Sequence, residues 1–136
     1  MERNTRSRTE QITVYKVMIE LHATPSNYWG KMQFVDKIGN LHEKGIQGGR
    51  KATANSNALQ SAIHAIRNLN RACVLDIHTD SDYLIGAIRN KWVNEWQQNQ
   101  WKTAKGTQVK NIEQWQELMK LLAKHSYRFE KIQGGE

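Results

Sequence analysis

The stretch that decides the fold of this chain is CVLDIHTDSDYLIGAI, residues 73–88. Its first part, Cys73–Ile77, is a short apolar run that is typical of a buried strand. After His78, the residues Thr79 to Ser81 are small and polar and include two candidate helix caps. The apolar residues that follow have helical spacing, namely Leu84, Ile85 and Ile88. A strand that runs directly into a helix predicts an α/β fold.

Upstream of this stretch, the chain predicts three strands and one helix. The strands are expected at Ile12–Leu21, Tyr28–Val35 and Leu41–Gln47, separated by turn sequences. The helix is expected to start at a cap on Asn55 or Ser56. It carries one apolar stripe, made of Leu59, Ala62, Ile63, Ile66 and Leu69.

Downstream, the second helix is expected to bend around residues 89–91 and to continue to Trp96. A polar loop, Lys102–Lys110, leads to a last helix capped by Asn111, and the final strand is expected at Tyr127–Ile132. The whole order predicts a five-stranded mixed sheet with flanking helices.

The totals fit one basic domain. The chain has 136 residues, a formal net charge of +7 and a sequence pI of about 9.7. We expect a flexible basic tail at residues 1–10 and one domain over residues 11–136. No apolar run approaches the roughly 20 residues that cross a bilayer, so no membrane partner is expected. The one cysteine, Cys73, lies in an apolar run, which predicts a buried thiol and a cytoplasmic protein.

Positive charge and aromatic side chains are concentrated between Arg89 and Lys110. This segment holds five cations but a single acid, Glu95. Trp92 and Trp96 are four residues apart and share one helix face. Cations bind phosphates, and aromatic rings pack against sugars or bases, so the segment predicts a nucleic-acid-binding surface. The alternative role of these tryptophans is the hydrophobic core, which we favour for Trp101 and Trp115.

Two motifs resemble the type 1 ribonuclease H family. They are HTDSDYL, residues 78–84, and WVNEWQQNQWKTAKGTQVKNIEQWQELMKLL, residues 92–122, which matches the family's basic handle. The resemblance covers about residues 12–135. It implies a five-stranded mixed sheet with flanking helices and cleavage of the RNA strand of RNA–DNA hybrids. It also implies four acidic residues that hold two divalent ions about 4 Å apart.

The resemblance leaves the acid set incomplete. The family's central-strand aspartate matches Asp80, and ungapped counting places its first-strand aspartate on Glu20. The same register puts the helix glutamate on Ala58 and the loop histidine on Gly135. The final helix, which carries the fourth acid, is expected to be absent. Glu20 and Asp80 are therefore the remaining catalytic or metal-binding candidates, for weakly held Mg²⁺ or Mn²⁺ at most.

By contrast, the family's binding residues are matched. A phosphate pocket for the DNA strand matches Lys51, Thr53 and Asn111, and a minor-groove asparagine matches Asn55. The channel for the DNA sugar matches Tyr83, Trp92 and Trp96. The cations expected on the handle are Lys91, Lys102, Lys105 and Lys110. For Thr53, Asn55 and Asn111, helix capping is an equally simple explanation.

Three functions remain open at this stage. The first is binding of an RNA–DNA hybrid, or a duplex RNA of similar shape, without efficient cleavage. The second is a divergent, metal-dependent hybrid ribonuclease that uses Glu20 and Asp80. The third is a protein-binding decoy from a phage or mobile element, with its partner at the open C-terminal edge. A rebuilt one-metal site is also conceivable, because Asp76, His78 and Asp80 alternate along one strand.

Overall fold

A computed structural model describes residues 14–133 of the chain. The strands are β1 (Tyr15–Ala23), β2 (Asn27–Val35), β3 (Leu41–Gly49), β4 (Cys73–Thr79) and β5 (Ser126–Lys131). The helices are α1 (Ala54–Arg67), α2 (Asp82–Arg89), α3 (Trp92–Gln98) and α4 (Ile112–Leu122). The five strands form one sheet in the order β3-β2-β1-β4-β5. The predicted fold class is therefore confirmed.

The sheet is mixed because of its connections. Short turns join β1 to β2 and β2 to β3, and both pairs are antiparallel. Strand β4 pairs parallel with β1 after the crossover through α1, and β5 pairs parallel with β4. Antiparallel strands can follow each other through a tight turn, whereas parallel strands need a crossover.

The core lies between one face of the sheet and the helices. Alternate residues of β1, such as Ile19 and Leu21, are almost fully buried, as are Leu75 and Ile77 of β4. Helix α1 packs on β1 and β2, and α4 packs on α1 through fully buried side chains that include Trp115.

The opposite face of the sheet carries side chains that remain partly exposed. Met18 of β1, Trp29 of β2 and Val74 of β4 are each 39–40% exposed. Because side chains alternate along a strand, the same face also presents Glu20 and His22. No helix within residues 14–133 covers this face, and none of these helices is long and apolar enough to cross a bilayer.

Several boundaries differ from the sequence predictions. Thr53, rather than Asn55 or Ser56, caps α1, since its Oγ1 accepts a hydrogen bond of 3.0 Å from Ser56 N. Strand β3 continues through Gly49, which pairs with β2. The predicted bend is a break between α2 and α3 at Lys91, which has a left-handed φ of 59°.

Candidate nucleic-acid interface

The first feature of the site is the residue of β1 that lies beside Asp80. In the register of β1 with β4, Glu20 lies opposite His78. One step further, Asp80 N donates to Leu21 O at 3.3 Å, so the next outward-facing residue is His22. Its Nδ1 lies 3.4 Å from Asp80 Oδ2, and its Nε2 lies 2.8 Å from Glu20 Oε2. The ungapped count had placed the family's first-strand aspartate on Glu20, whereas in the structure His22, two residues further along β1, lies beside Asp80.

His22 therefore bridges two carboxylates. The Nε2 contact with Glu20 is a hydrogen bond, whereas the Nδ1 contact with Asp80 is longer. The three side chains form a chain of polar contacts and do not converge on one point. The sequence alone does not place His22 beside Asp80, because its position depends on the pairing of β1 with β4.

Ala58 occupies the position that the resemblance assigns to the family's helix glutamate. It is buried and lines a cleft of about 340 Å³ together with Asn55, Asp80, Asp82 and Tyr83. Its methyl group offers no metal ligand, so α1 contributes no carboxylate to the cleft. Among residues 14–133, no group of three or more histidines, cysteines or acids is arranged to hold a metal ion. These donors do not fit a pair of Mg²⁺ ions, which require oxygen ligands on both sides.

Lys131 of β5 places a positive charge next to this cleft. Its Nζ donates to Asp82 Oδ1 at 2.9 Å and to the carbonyl of Asp80 at 3.3 Å. Two protein side chains, His22 and Lys131, thus contact the aspartates at the end of β4.

Asp76 and His78 do not make the contacts that a one-metal site with Asp80 would require. Arg128 Nε donates to the carboxylate of Asp76 at 3.0 Å. This bond holds the pKa of Asp76 below its usual value, although burial opposes the shift. His78 Nε2 lies 3.2 Å from Asp76 Oδ1, but it is shielded from solvent and makes no hydrogen bond. Asp80 lies beyond the end of β4, so the three residues do not form one site.

Of the residues predicted for the phosphate pocket, Asn111 shares a cleft with another cation, Arg50. A cleft of about 460 Å³ is lined by Arg50, Asn111 and Gln114 among others, whereas Lys51 is not part of its lining. Arg50 Nη1 donates to Ser56 Oγ at 2.9 Å and to Asn57 Oδ1 at 2.8 Å, which fixes the guanidinium beside α1. The match to the family assigned the neighbouring residue Lys51 to the phosphate pocket and gave Arg50 no role.

Asn111 lies in this cleft but does not cap α4 through its side chain. It adopts a left-handed φ of 62°, and its Nδ2 lies 3.4 Å from Tyr83 Oη. Trp115 Nε1 also donates to this hydroxyl, at 2.8 Å. Tyr83 is therefore held between the cleft beside Asp80 and the cleft beside Arg50. The predicted capping bond of Asn111 is wrong, and its amide is positioned by Tyr83 instead.

The handle consists of α3 and the loop up to Lys110. Trp92 is 43% exposed and lies against Gly86, while Trp96 is partly buried and packs against Trp115, with ring centroids 5.9 Å apart. Trp101 is partly buried against the core, so its predicted role is supported. Four exposed lysines lie on or directly before the handle, and they make no ion pair within residues 14–133. They are Lys91, Lys102, Lys105 and Lys110.

The loop of the handle is held by its own backbone. Lys102 bridges to Gln108, and Thr103 N donates to Thr107 O at 2.7 Å. Gln100 and Trp101 both adopt left-handed φ values, which turn the chain sharply after α3. The structure therefore presents the lysines on an ordered turn. The predicted tail at residues 1–10 and Gly135 lie outside the described residues.

Comparison with known proteins identifies the class. The profile of the RNase H family matches residues 10–136, and the chain belongs to this family. Ribonuclease H of Chlorobium chlorochromatii (strain CaD3) is 39% identical over 107 residues, which cover 78% of this chain and 70% of that protein. Ribonuclease H of a Thermus thermophilus strain is 38% identical over 96 residues, covering 70% of this chain and 58% of that protein.

Solved structures support the same fold. LC9-RNase H1, a type 1 RNase H with the type 2 active-site motif, superposes with a TM-score of 0.77 at 20% identity. The match covers 91% of this chain and 65% of that chain. LC11-RNase H1 in complex with an RNA/DNA hybrid superposes with a TM-score of 0.54 at 14% identity, covering 85% and 84% of the two chains. This chain therefore spans about two-thirds of the length of several relatives.

Proposed function

We propose that this protein binds an RNA–DNA hybrid, or a duplex of similar shape, without cleaving it efficiently. The observation that carries this proposal is the side chain beside Asp80. Where the resemblance implies a second aspartate, His22 contacts both Asp80 and Glu20. Ala58 lines the same cleft without a ligand atom.

The argument against efficient cleavage is electrostatic. Two-metal catalysis places divalent ions at both the attacking and the leaving oxygen, and these ions need carboxylates to offset their charge. Here His22 and Lys131 already contact the carboxylate of Asp80 and that of Asp82. A divalent ion would have to displace these contacts and would find fewer oxygen ligands. Weak Mg²⁺ or Mn²⁺ binding at Asp80, with water completing the shell, is the most that this donor set supports.

The argument for binding rests on the handle and the cleft beside Arg50. Exposed lysines lie on an ordered turn next to Trp92, and a fixed guanidinium shares a cleft with Asn111. Such groups contact the nucleic-acid backbone and recognise the shape of the groove. Binding of this kind does not depend on the base sequence. The RNase H family membership and the hybrid complex of LC11-RNase H1 support a hybrid as the duplex.

The test is a combined binding and cleavage assay. A labelled RNA–DNA hybrid, duplex RNA and duplex DNA would be incubated with the protein in EDTA, in Mg²⁺ and in Mn²⁺. We expect binding of the hybrid in all three conditions and negligible product.

An Asp80→Asn variant, purified in parallel, controls for contaminating nuclease. Turnover in Mg²⁺ or Mn²⁺ that this substitution abolishes would show that the chain is a divergent hybrid ribonuclease. The absence of binding to every duplex would refute the proposal.

A further inference from the structure

A separate cleft lies at one end of the β2–β3 hairpin, the end that is closer to Glu20 and Asp80. Its volume is about 530 Å³, and it is lined by Asn27, Tyr28, Trp29, Gln47 and the Gly48–Gly49 pair. None of these residues belongs to the handle, to the cleft beside Arg50 or to the acids discussed above.

Trp29 gives this cleft an aromatic surface. Its indole stacks on the His22 ring with the centroids 5.2 Å apart and the planes within 10°. His22 covers one face of the indole, and 39% of the tryptophan remains exposed. An indole that rests against one neighbour and remains partly exposed offers a surface for stacking of a planar base.

Two side-chain amides lie next to this aromatic surface. Asn27 Oδ1 accepts a hydrogen bond of 2.7 Å from Thr24 Oγ1, which directs the amide and leaves its NH₂ group for another partner. The Gln47 side chain makes no hydrogen bond within residues 14–133 and pairs across the strands with Trp29. Carboxamides both donate and accept, so they match the polar edges of nucleobases.

Gly48 and Gly49 shape the cleft because they have no side chains. A Cβ atom at Gly49 would meet no atom within 4 Å, whereas one at Gly48 would lie 2.5 Å from the Tyr28 ring. Gly48 is therefore required by the packing of Tyr28, and Gly49 leaves open space beside Gln47. Strand β3 is an edge strand, so part of its backbone also faces this space without a partner strand.

We propose that this cleft binds the base of an unpaired nucleotide that adjoins the bound duplex. A paired base has its faces stacked and its polar edge engaged, so only an unpaired base offers both to Trp29 and the amides. The inference rests on the proposed function, because the duplex places the nucleotide at the cleft. The preferred ligand is then a hybrid with a single-stranded extension.

The experiment compares a blunt RNA–DNA hybrid with the same hybrid carrying a short unpaired extension on either strand. We expect the extension at one end to raise affinity about tenfold, the effect of stacking one base on an aromatic side chain. A fluorescent 2-aminopurine at the first unpaired position should be quenched on binding.

Gly49→Leu would fill the cleft where a side chain has room. It should abolish the gain from the extension and leave affinity for the blunt hybrid unchanged. The matched control is Gly45→Leu on the same strand, where a Cβ atom meets only Gly30 O, at 3.8 Å; it should keep the gain. Gln47→Ala is a second variant that leaves the strands intact, and it should reduce the gain.

The outcomes separate the two proposals. A wild-type protein that binds blunt and extended hybrids equally would overturn this inference and leave the proposed function standing. A gain that survives in both Gly49→Leu and Gln47→Ala would also overturn it. If the protein binds no hybrid of either kind, the proposed function fails, and this inference fails with it.

Discussion

Replacing Lys102 and Lys105 by alanine should flatten the salt dependence of duplex binding. Five exposed lysines belong to the proposed interface, and they make no ion pair within residues 14–133. They are Lys51, Lys91, Lys102, Lys105 and Lys110. On B-form DNA each neutralised phosphate contributes about 0.9 to the slope of log affinity against log salt, so five contacts predict about −4.5. Without two of them the slope should be about −2.7.

These slopes give a large, measurable difference. Between 50 and 200 mM salt, the wild-type affinity should fall about 500-fold and that of the double variant about 40-fold. The measurement is a fluorescence-anisotropy titration with one labelled duplex at several salt concentrations.

The matched control removes two lysines outside the interface, Lys120 and Lys124, which lie at and just beyond the end of α4. It should keep the wild-type slope. Equal slopes for the wild type and the handle variant, or equal flattening in the control, would refute the placement of the duplex on the handle.

Three further results are expected. Ala58→Glu alone should not produce Mg²⁺-dependent cleavage of a hybrid, because the histidine beside the remaining aspartate is unchanged; a large rate gain would contradict this. Arg128 lowers the pKa of Asp76 in the folded protein, so this pair stabilises the fold above the ordinary pKa near 3.8 and loses its effect as the pH falls through the lowered value. Urea unfolding of Asp76→Asn between pH 2 and 5 should therefore show a weaker pH dependence than the wild type, and identical profiles would exclude the pair as the cause. Gly48→Ala should destabilise the fold by about 1–3 kcal/mol in urea unfolding, because the new methyl group overlaps the Tyr28 ring, and an unchanged midpoint would contradict the packing described.

Local sequence patterns predicted the elements and their order. Alternating apolar residues marked the strands, and the apolar stripes of α1 and α4 marked the helix faces that form the core. Both signals depend only on the repeat of side chains along a strand or helix, so they can be found without knowledge of the contacts. The basic and aromatic composition of the handle was equally visible; in the structure its lysines and Trp92 are exposed, whereas Trp96 packs against Trp115.

The site was decided by tertiary structure. Counting without gaps placed the family's first-strand aspartate on Glu20, but the pairing of β1 with β4 places His22 beside Asp80. A shift of two residues keeps a side chain on the same face of the sheet and moves it about 6.6 Å along the strand, which periodicity cannot detect. A shift of one residue likewise separates Arg50, which lines the cleft with Asn111, from Lys51, which the family match assigned to the phosphate pocket.

The residues of the chain therefore determined which elements form and which face of each is buried, because those properties follow from local periodicity. Which polar side chains meet at the end of β4 was decided by the hydrogen-bonded register between strands that are more than 50 residues apart in sequence. That register brings His22 beside Asp80, and no local pattern in the sequence contains this information.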